Sequence, residues 1–221
     1  MLDKFELEPN TIDFIGHAVA LYTNEAFLGM PAVHLIDKIK LYMDSMGRYG
    51  DSPFIYPIYG LGGIPEGFSR ASAVNGGTFM LNTDINEFVF EGGKIAGVKS
   101  GGEVAKCKMV ICDPTYAINA GLKDRVKLTE RVLRCICILD HPIPNTDDKP
   151  SVQIIIPQRQ LGRKSDIYIM MVSEVHKVCQ KANYVAIIST TVETNNPEAE
   201  IEVAFDMLGT VKEKFLKVSY L

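Results

Sequence analysis

The sequence lacks any strong cluster of positive charge. Its 221 residues contain 23 lysines and arginines against 27 acidic residues, for a formal net charge of −4. The one short basic segment is RKSD, at residues 163–166. A protein that binds a nucleic-acid backbone needs a basic patch or stripe. We therefore expect no nucleic-acid partner.

Long apolar runs are also missing. No stretch approaches the roughly 20 apolar residues that cross a bilayer as a helix. The first residues, MLDKFELEPN, carry acids where a secretory signal would have a basic region followed by an apolar one. With 47% hydrophobic residues, the chain has enough apolar side chains for a buried core. We predict a globular protein of the cytosol.

Metal-binding and catalytic motifs are absent too. Zinc sites usually contain paired cysteines or spaced histidines, and neither pattern occurs here. Four of the five cysteines lie in apolar, strand-like runs, which predicts buried free thiols: Cys107, Cys112, Cys135 and Cys137. His17 and His34 lie in amphipathic patterns and are predicted to be structural. No nucleophile lies beside a base in a known motif, so we predict no metal, no cofactor and no enzymatic activity.

Residues 1–50 have the pattern of a helical unit. One helix is predicted from Asn10 to Tyr22, with apolar residues at Ile12, Ile15 and Val19. A second helix is predicted to begin at Pro31 and to end near Gly47. Its apolar stripe consists of Leu35, Ile36, Ile39, Met43 and Met46. We place a domain boundary between Arg48 and Pro53.

Residues 51–221 have the pattern of a sheet-rich domain. Strands are predicted at residues 87–91, 94–100, 108–113, 152–157, 167–172 and 184–193. A helix is predicted from Glu198 to about Val218, and the fold class is α/β or α+β with a mixed sheet. The later strands need further neighbours, and the pattern is unfinished at both ends. We therefore expect the chain to be a piece of a larger protein.

The glycine-rich stretch YPIYGLGGIPEGFSRASAVNGGTFML, residues 56–81, invites a test for a nucleotide-binding loop. A dinucleotide fingerprint needs a third glycine where Pro65 stands, and the Walker pattern needs a Lys-Ser/Thr ending that is missing. The residues instead predict a chain reversal at Gly60–Gly63 and a short helix from Pro65. Gly76 and Gly77 would end this helix, and a strand would begin at Thr78.

Four segments together resemble the Rab GDP dissociation inhibitors along nearly the whole chain. They are SPFIYPIYGLGGIPEGFSRASAVNGGTFMLN, GEVAKCKMVICDP, IIIPQRQLGRKSDIYI and STTVET. The resemblance implies a scaffold similar to flavin-containing amine oxidases, without the cofactor. It also implies a protein that binds prenylated, GDP-bound Rab GTPases and carries them between membranes, with transient membrane contact. Residues 1–50 would then be part of the helical prenyl-binding domain, and 51–221 part of the Rab-binding domain.

The resemblance also implies site residues. Arg70, Thr78 and Met80 match positions of the Rab-binding platform, whereas Gly63 stands where the family usually has an acidic residue. The segment RYGDSPF resembles the membrane-recycling loop, with Arg48 and Ser52 matching and Phe54 replacing a tyrosine. A polar interdomain linker would have a similar composition, and this alternative remains open.

We expect the two helical stripes to face each other and to admit the prenyl chain. The residues concerned are Ile12, Ile15, Val19, Ile36, Ile39 and Met43. A plain contact between two helices would produce the same pattern.

Two alternatives to the main function are a flavin-dependent oxidoreductase, which uses a related scaffold, and a Rab escort protein. The segment IIIPQRQLGRKSDIYI fits the inhibitors better than the escort proteins.

Overall fold

The computed structural model describes residues 5–48, 50 and 52–221. Contacts divide the chain into two compact units, of which the first is Met1–Pro65 with Glu130–Leu221 and the second is Glu66–Thr129. This division does not follow the boundary that we placed near residue 50, which remains a prediction about domain organisation. The fold class is α+β, and the recorded strand pairings are all antiparallel.

The helical part of the first unit has two main segments. Helix α1 spans Pro9–Asp13 and continues as a π-helix over Phe14–Val19. A 3₁₀ turn at Glu25–Gly29 leads to helix α2, Ala32–Ser45. Pro31 is the residue before α2 rather than its first member, since its φ is −57° and its ψ is 134°. The two predicted helices are thus confirmed, the first in a shorter and partly π-helical form.

The core of the first unit lies on one face of a five-stranded sheet. Its strands, in spatial order, are β5 (Ser151–Ile156), β6 (Ile167–Ser173), β7 (Tyr184–Thr191), β4 (Arg131–Leu139) and β8 (Glu213–Tyr220). Alternate residues of the strands point to this face and are fully buried, among them Leu133, Cys135, Ile169 and Ile188. Helix α5, Glu202–Leu208, contributes Ala204 and Leu208 to the same core.

The second unit contains a three-stranded sheet. Strands β1 (Glu87–Glu91), β2 (Lys94–Ser100) and β3 (Glu103–Lys106) form consecutive hairpins. The Gly92–Gly93 and Gly101–Gly102 turns have positive φ at both glycines, as a tight two-residue hairpin turn requires. Helix α3, Gly63–Val74, spans the division between the units, and α4, Pro114–Asn119, follows the sheet.

Three predicted elements were wrong. Residues 198–218 do not form one long helix. Helix α5 ends at Leu208, the next residue, Gly209, has a φ of +77°, and the chain then pairs with β4 as strand β8. Residues 108–113 form no strand. The tight turn at Gly101–Gly102 starts β3 at Glu103, and its pairing with β2 ends at Lys106, opposite Gly97. Residues 78–80 also have no strand pairing.

Two predictions about burial were wrong as well. Cys135 and Cys137 are fully buried, but Cys112 is exposed and Cys107 is only half-buried. Cys112 lies within the predicted strand 108–113, which does not form, and Cys107 lies directly before it. His34 is exposed on α2, whereas His17 is 1% exposed and structural as expected.

Candidate interaction surfaces

Helix α3 is a locally encoded element with a well-defined end. After Asn75, the N–H of Gly77 donates to Ser72 O at 2.9 Å and the N–H of Gly76 donates to Ala73 O at 3.0 Å. Together with the φ of +88° at Gly76, these bonds form a Schellman motif. A Cβ on Gly77 would lie 2.3 Å from Ser72 Oγ and 2.9 Å from Ser72 O. The prediction that the two glycines end this helix is confirmed.

The surface formed by α3 and the following turn is exposed. No residue of α3 is buried, and Phe68 is 73% exposed. In the turn, Met80 is 72% exposed and Leu81 is 84% exposed. So many exposed apolar side chains in one region are typical of a protein interaction surface. We call residues 63–81 the α3 surface.

Arg70 lies on α3 and is exposed. Within the part of the chain that the structure describes, its side chain has no ion pair and no hydrogen bond. An arginine that only fastened its own helix would pair with a nearby acid. Its five N–H donors are therefore available to a partner.

Gly63, the first residue of α3, lies seven residues before Arg70, which is about two helical turns or 10 Å along the same side. Its φ lies outside the left-handed region, and a Cβ added there would have no atom within 4 Å. The backbone and the surroundings would thus accept an acidic side chain. The fold therefore does not require a glycine at position 63.

Thr78 and Met80 follow the Schellman motif as irregular chain. Thr78 is exposed, and Met80 lines a cavity of about 420 Å³. Other walls of this cavity come from Ile85, Val98 and Val104. The thioether of methionine adapts to different apolar partners. Arg70, Thr78 and Met80 thus lie within 11 residues of one another on exposed chain, although the strand expected to carry two of them is absent.

The residues of the two predicted helical stripes are only partly buried. Residues Ile12, Ile15, Val19 and Ile39 are half-buried, whereas Ile36 and Met43 are exposed. The fully buried positions of the first segment are Asp13, Gly16, His17 and Ala20. Polar and small residues, rather than the apolar stripe, therefore face the interior of this unit.

A cavity of about 280 Å³ lies beside α2 instead; we call it the helical groove. Val19 is the predicted residue that lines it, and α2 contributes Lys38, Leu41, Tyr42 and Ser45. These four recur with helical spacing on a face roughly 140° around the helix from that of Ile36, Ile39 and Met43. A search for apolar residues at helical spacing could not identify the face that lines the groove, because three of its four residues are a lysine, a tyrosine and a serine.

Residues of the predicted recycling loop reach the helical groove. Phe54 lines it and packs edge-on against Tyr42, with 6.2 Å between the ring centroids. The Oγ of Ser52 accepts a hydrogen bond from the Phe54 N–H at 3.1 Å. Arg48 is exposed, and Tyr49 and Asp51 of this segment lie outside the described residues.

The segments RKSD and STTVET form a buried ionic cluster that the sequence did not predict. Arg163 donates to Thr191 O at 2.9 Å and pairs with Glu200 at 2.9 Å. The side chains of Arg163 and Glu200 are at most 10% exposed. Burial by itself raises the pKa of Glu200. Hydrogen bonds from Thr194 and Glu193 and the contact with Arg163 outweigh it and hold this pKa below its usual value. These segments thus have a structural role.

A second buried cluster joins the helical part of the first unit to its sheet. His17 Nδ1 lies 2.7 Å from Asp166 Oδ2, and His17 Nε2 lies 3.3 Å from Glu25 Oε1. The Tyr168 hydroxyl donates to the same Asp166 oxygen at 3.2 Å. Burial and the nearby Asp166 raise the pKa of Tyr168. The sequence did not reveal this cluster, because His17 and Asp166 are 149 residues apart.

The described residues contain little that resembles a reactive site. No group of three or more His, Cys, Asp and Glu side chains among them is arranged to hold a metal ion. Burial and the adjacent Cys135 raise the pKa of Cys137 to about 12, so this thiol is a poor nucleophile at neutral pH. No helix in the same part of the chain is both long and apolar enough to cross a membrane.

The chain is similar to known proteins along its whole length. The family model described as GDP dissociation inhibitor matches residues 1–221. Rab GDP dissociation inhibitor beta from Canis lupus familiaris is 52% identical over 218 residues, and so is the protein of that name from Rattus norvegicus. Each alignment covers 99% of this chain and 48% of the relative. The chain thus spans about half the length of these curated relatives.

Solved structures show the same similarity. The crystal structure of a Rab GDI from Plasmodium falciparum matches with a TM-score of 0.94 and 55% identity, over 100% of this chain and 50% of that one. An oxidoreductase from Methanosarcina mazei matches with a TM-score of 0.52 and 17% identity, over 73% of this chain and 42% of that one. The second match shows a shared fold alone. From the match of the family model to all 221 residues, we conclude that this chain belongs to the GDP dissociation inhibitor family.

Proposed function

We propose that this chain acts in a Rab GDP dissociation inhibitor. Such a protein binds prenylated Rab GTPases in their GDP-bound state, slows GDP release and returns the GTPases from membranes to the cytosol during vesicle transport. Membership of the family supports this proposal over a flavin-dependent oxidoreductase or a Rab escort protein. The protein would act as a regulator, not as an enzyme, and its membrane contact would be transient.

The observation that carries the proposal is the exposed α3 surface with its unpaired Arg70. The guanidinium would donate to an acidic or carbonyl oxygen of the GTPase, and Thr78 and Met80 would extend the contact. Met80 and the cavity beside it offer apolar area to the same partner. A charge-assisted hydrogen bond contributes about 1.5–3 kcal/mol, so Arg70→Ala should weaken binding roughly ten- to a hundredfold.

The test is the rate of GDP release from a prenylated Rab in the presence of wild-type or variant protein. Arg125→Ala is the matched control, since Arg125 is also exposed, lies in the same unit and has no ion pair in the described chain. We expect Arg125→Ala to slow GDP release as wild type does, whereas Arg70→Ala should require a much higher concentration. Equal potency of the two variants would refute the assignment of Arg70.

The prenyl group would bind between the helices of the first unit. Six residues were predicted to receive it, and of these Val19 lines the helical groove. Leu41 and Tyr42 supply further apolar area there. Each buried CH₂ group contributes about 0.8 kcal/mol, so even partial burial of a prenyl chain would give useful affinity. We propose the helical groove as the entry to this site, with Ile12, Ile15, Ile36, Ile39 and Met43 as the alternative lining.

The segment Arg48–Phe54 would act as the membrane-recycling loop. Its proposed role is supported by the position of Phe54, whose ring forms a wall of the helical groove. A loop that contacts the groove can respond to whether the groove is occupied. The charge of Arg48 is exposed and available to a membrane surface or to a membrane protein.

A further inference from the structure

The open face of the five-stranded sheet carries a transverse row of polar side chains. Arg134 on β4 pairs directly with Lys217 on β8 and with Ser189 on β7, and Ser189 pairs with Tyr168 on β6. Directly paired residues of antiparallel strands share a face, and neighbouring strands are about 4.8 Å apart. The next residue of β4, Cys135, points to the core. Four strands thus present one basic and hydroxyl-bearing row on the side away from the core.

The cations of this row have no counter-ion. Arg134 and Lys217 are exposed, and neither side chain has an ion pair or hydrogen bond within the described residues. Like charges directly opposite each other on neighbouring strands destabilise a sheet. Lys164 lies at the same face, and only its backbone N–H, which donates to Glu193, is engaged. Within the described residues, three positive charges therefore remain without a partner on this face of the sheet.

A cavity of about 410 Å³ lies over this row. Arg134, Lys164 and Ser189 line it, together with two carboxylates, Glu130 and Asp166. Glu130 accepts a hydrogen bond from the Thr191 hydroxyl at 3.0 Å, and Asp166 is held by the buried cluster around His17. Both acids accept hydrogen bonds within the protein, whereas no described residue pairs with the side chains of the cations. The volume is in the range of small-molecule sites, which is about 300–1,000 Å³.

We propose that this cavity binds a phosphorylated polyol. The guanidinium of Arg134 would bind a phosphate through two parallel hydrogen bonds, and the ammonium groups of Lys217 and Lys164 would neutralise the remaining charge. The unengaged hydroxyl of Ser189 and the free lone pairs of Glu130 suit the hydroxyls of a polyol. A ligand of this class would remove the repulsion between Arg134 and Lys217.

Two sources could present this chemistry, a soluble inositol phosphate or the headgroup of a phosphoinositide in a membrane. Calorimetric titration with inositol hexakisphosphate tests the soluble form. Cosedimentation with phosphatidylcholine vesicles, with and without phosphatidylinositol phosphate, tests the lipid form. Binding in the first assay alone identifies a soluble ligand, and additional binding to the phosphoinositide vesicles identifies the headgroup.

The variants are Arg134→Gln, Lys217→Gln and the control Lys40→Gln, which removes an exposed charge from α2. Arg134→Gln and Lys217→Gln should each weaken binding of the phosphorylated ligand about tenfold. Added salt should also weaken binding to the wild-type protein, because the contact is electrostatic. Lys40→Gln should bind as wild type does. If Arg134→Gln lowers the thermal stability, the test depends on Lys217→Gln, because Lys217 is exposed on the edge strand β8. The proposal is overturned if wild type binds in neither assay, or if Lys40→Gln weakens binding as much as the other two variants.

Discussion

Replacing Arg163 by alanine should destabilise the first unit by an amount that the structure allows us to estimate. The guanidinium donates to Thr190 Oγ1 at 3.2 Å and Thr191 O at 2.9 Å, and it pairs with Glu200 at 2.9 Å. Its side chain is 10% exposed and that of Glu200 only 4%. Removing one partner of a buried ion pair costs about 3–5 kcal/mol, because the other charge is left in a poorly solvated site.

The measurement is thermal and urea unfolding of wild type and Arg163→Ala. For a chain of this size, a loss of about 4 kcal/mol lowers Tm by roughly 8–16 °C. Lys212→Ala is the control, since the Lys212–Asp140 pair is about half exposed and such pairs contribute about 0–1 kcal/mol. If Arg163→Ala loses no more stability than Lys212→Ala, our description of this cluster as a stabilising buried pair is wrong.

The same cluster predicts how stability depends on pH. The folded pKa of Glu200 lies below its usual value, so the folded state favours the ionised carboxylate. This contribution is present above the unfolded pKa, which is about 4.3, and is lost as pH falls through the folded pKa. In Arg163→Ala the folded pKa should rise toward the unfolded value. The loss of stability on acidification should then be smaller in the variant than in wild type, as measured by urea midpoints from neutral to acidic pH.

Three further predictions concern the α3 surface and the helical groove. Gly77→Ala should cost about 1–3 kcal/mol in urea unfolding, because the new methyl group would overlap Ser72 O, which is backbone and cannot rotate away; an unchanged midpoint would contradict this. Gly63→Glu should leave Tm unchanged or slightly higher and tighten Rab binding, and weaker binding would show that no acidic contact is missing there. Leu41→Trp should weaken binding of prenylated Rab more than of unprenylated Rab, whereas Met43→Trp should not; the reverse order would place the prenyl chain against the other face of α2.

The sequence by itself determined those elements whose hydrogen bonds close within a few residues. Helix α3 and its end at Gly76 and Gly77 were predictable, because every bond of the Schellman motif lies within residues 72–77. The β1–β2 hairpin was predictable for the same reason, since the glycine pair Gly92–Gly93 sets its turn. The helix that carries Arg70 was predictable in this way, whereas the assignment of Arg70 to the Rab-binding platform came from the family motif and stays a prediction.

Tertiary contacts decided the rest. Most of residues 213–220 were predicted to belong to a helix. They form β8 instead, because the edge of β4 offers backbone pairing over eight residues. The lining of the helical groove depends on where Phe54 and Val19 pack against α2. The spacing of apolar residues within α2 contains no information about these distant segments. Arg163 and Glu200 are 37 positions apart, and His17 and Asp166 are 149 apart. A sequence pattern reports the preferences of neighbouring residues, but such pairs exist only once the folded chain brings distant backbone segments together.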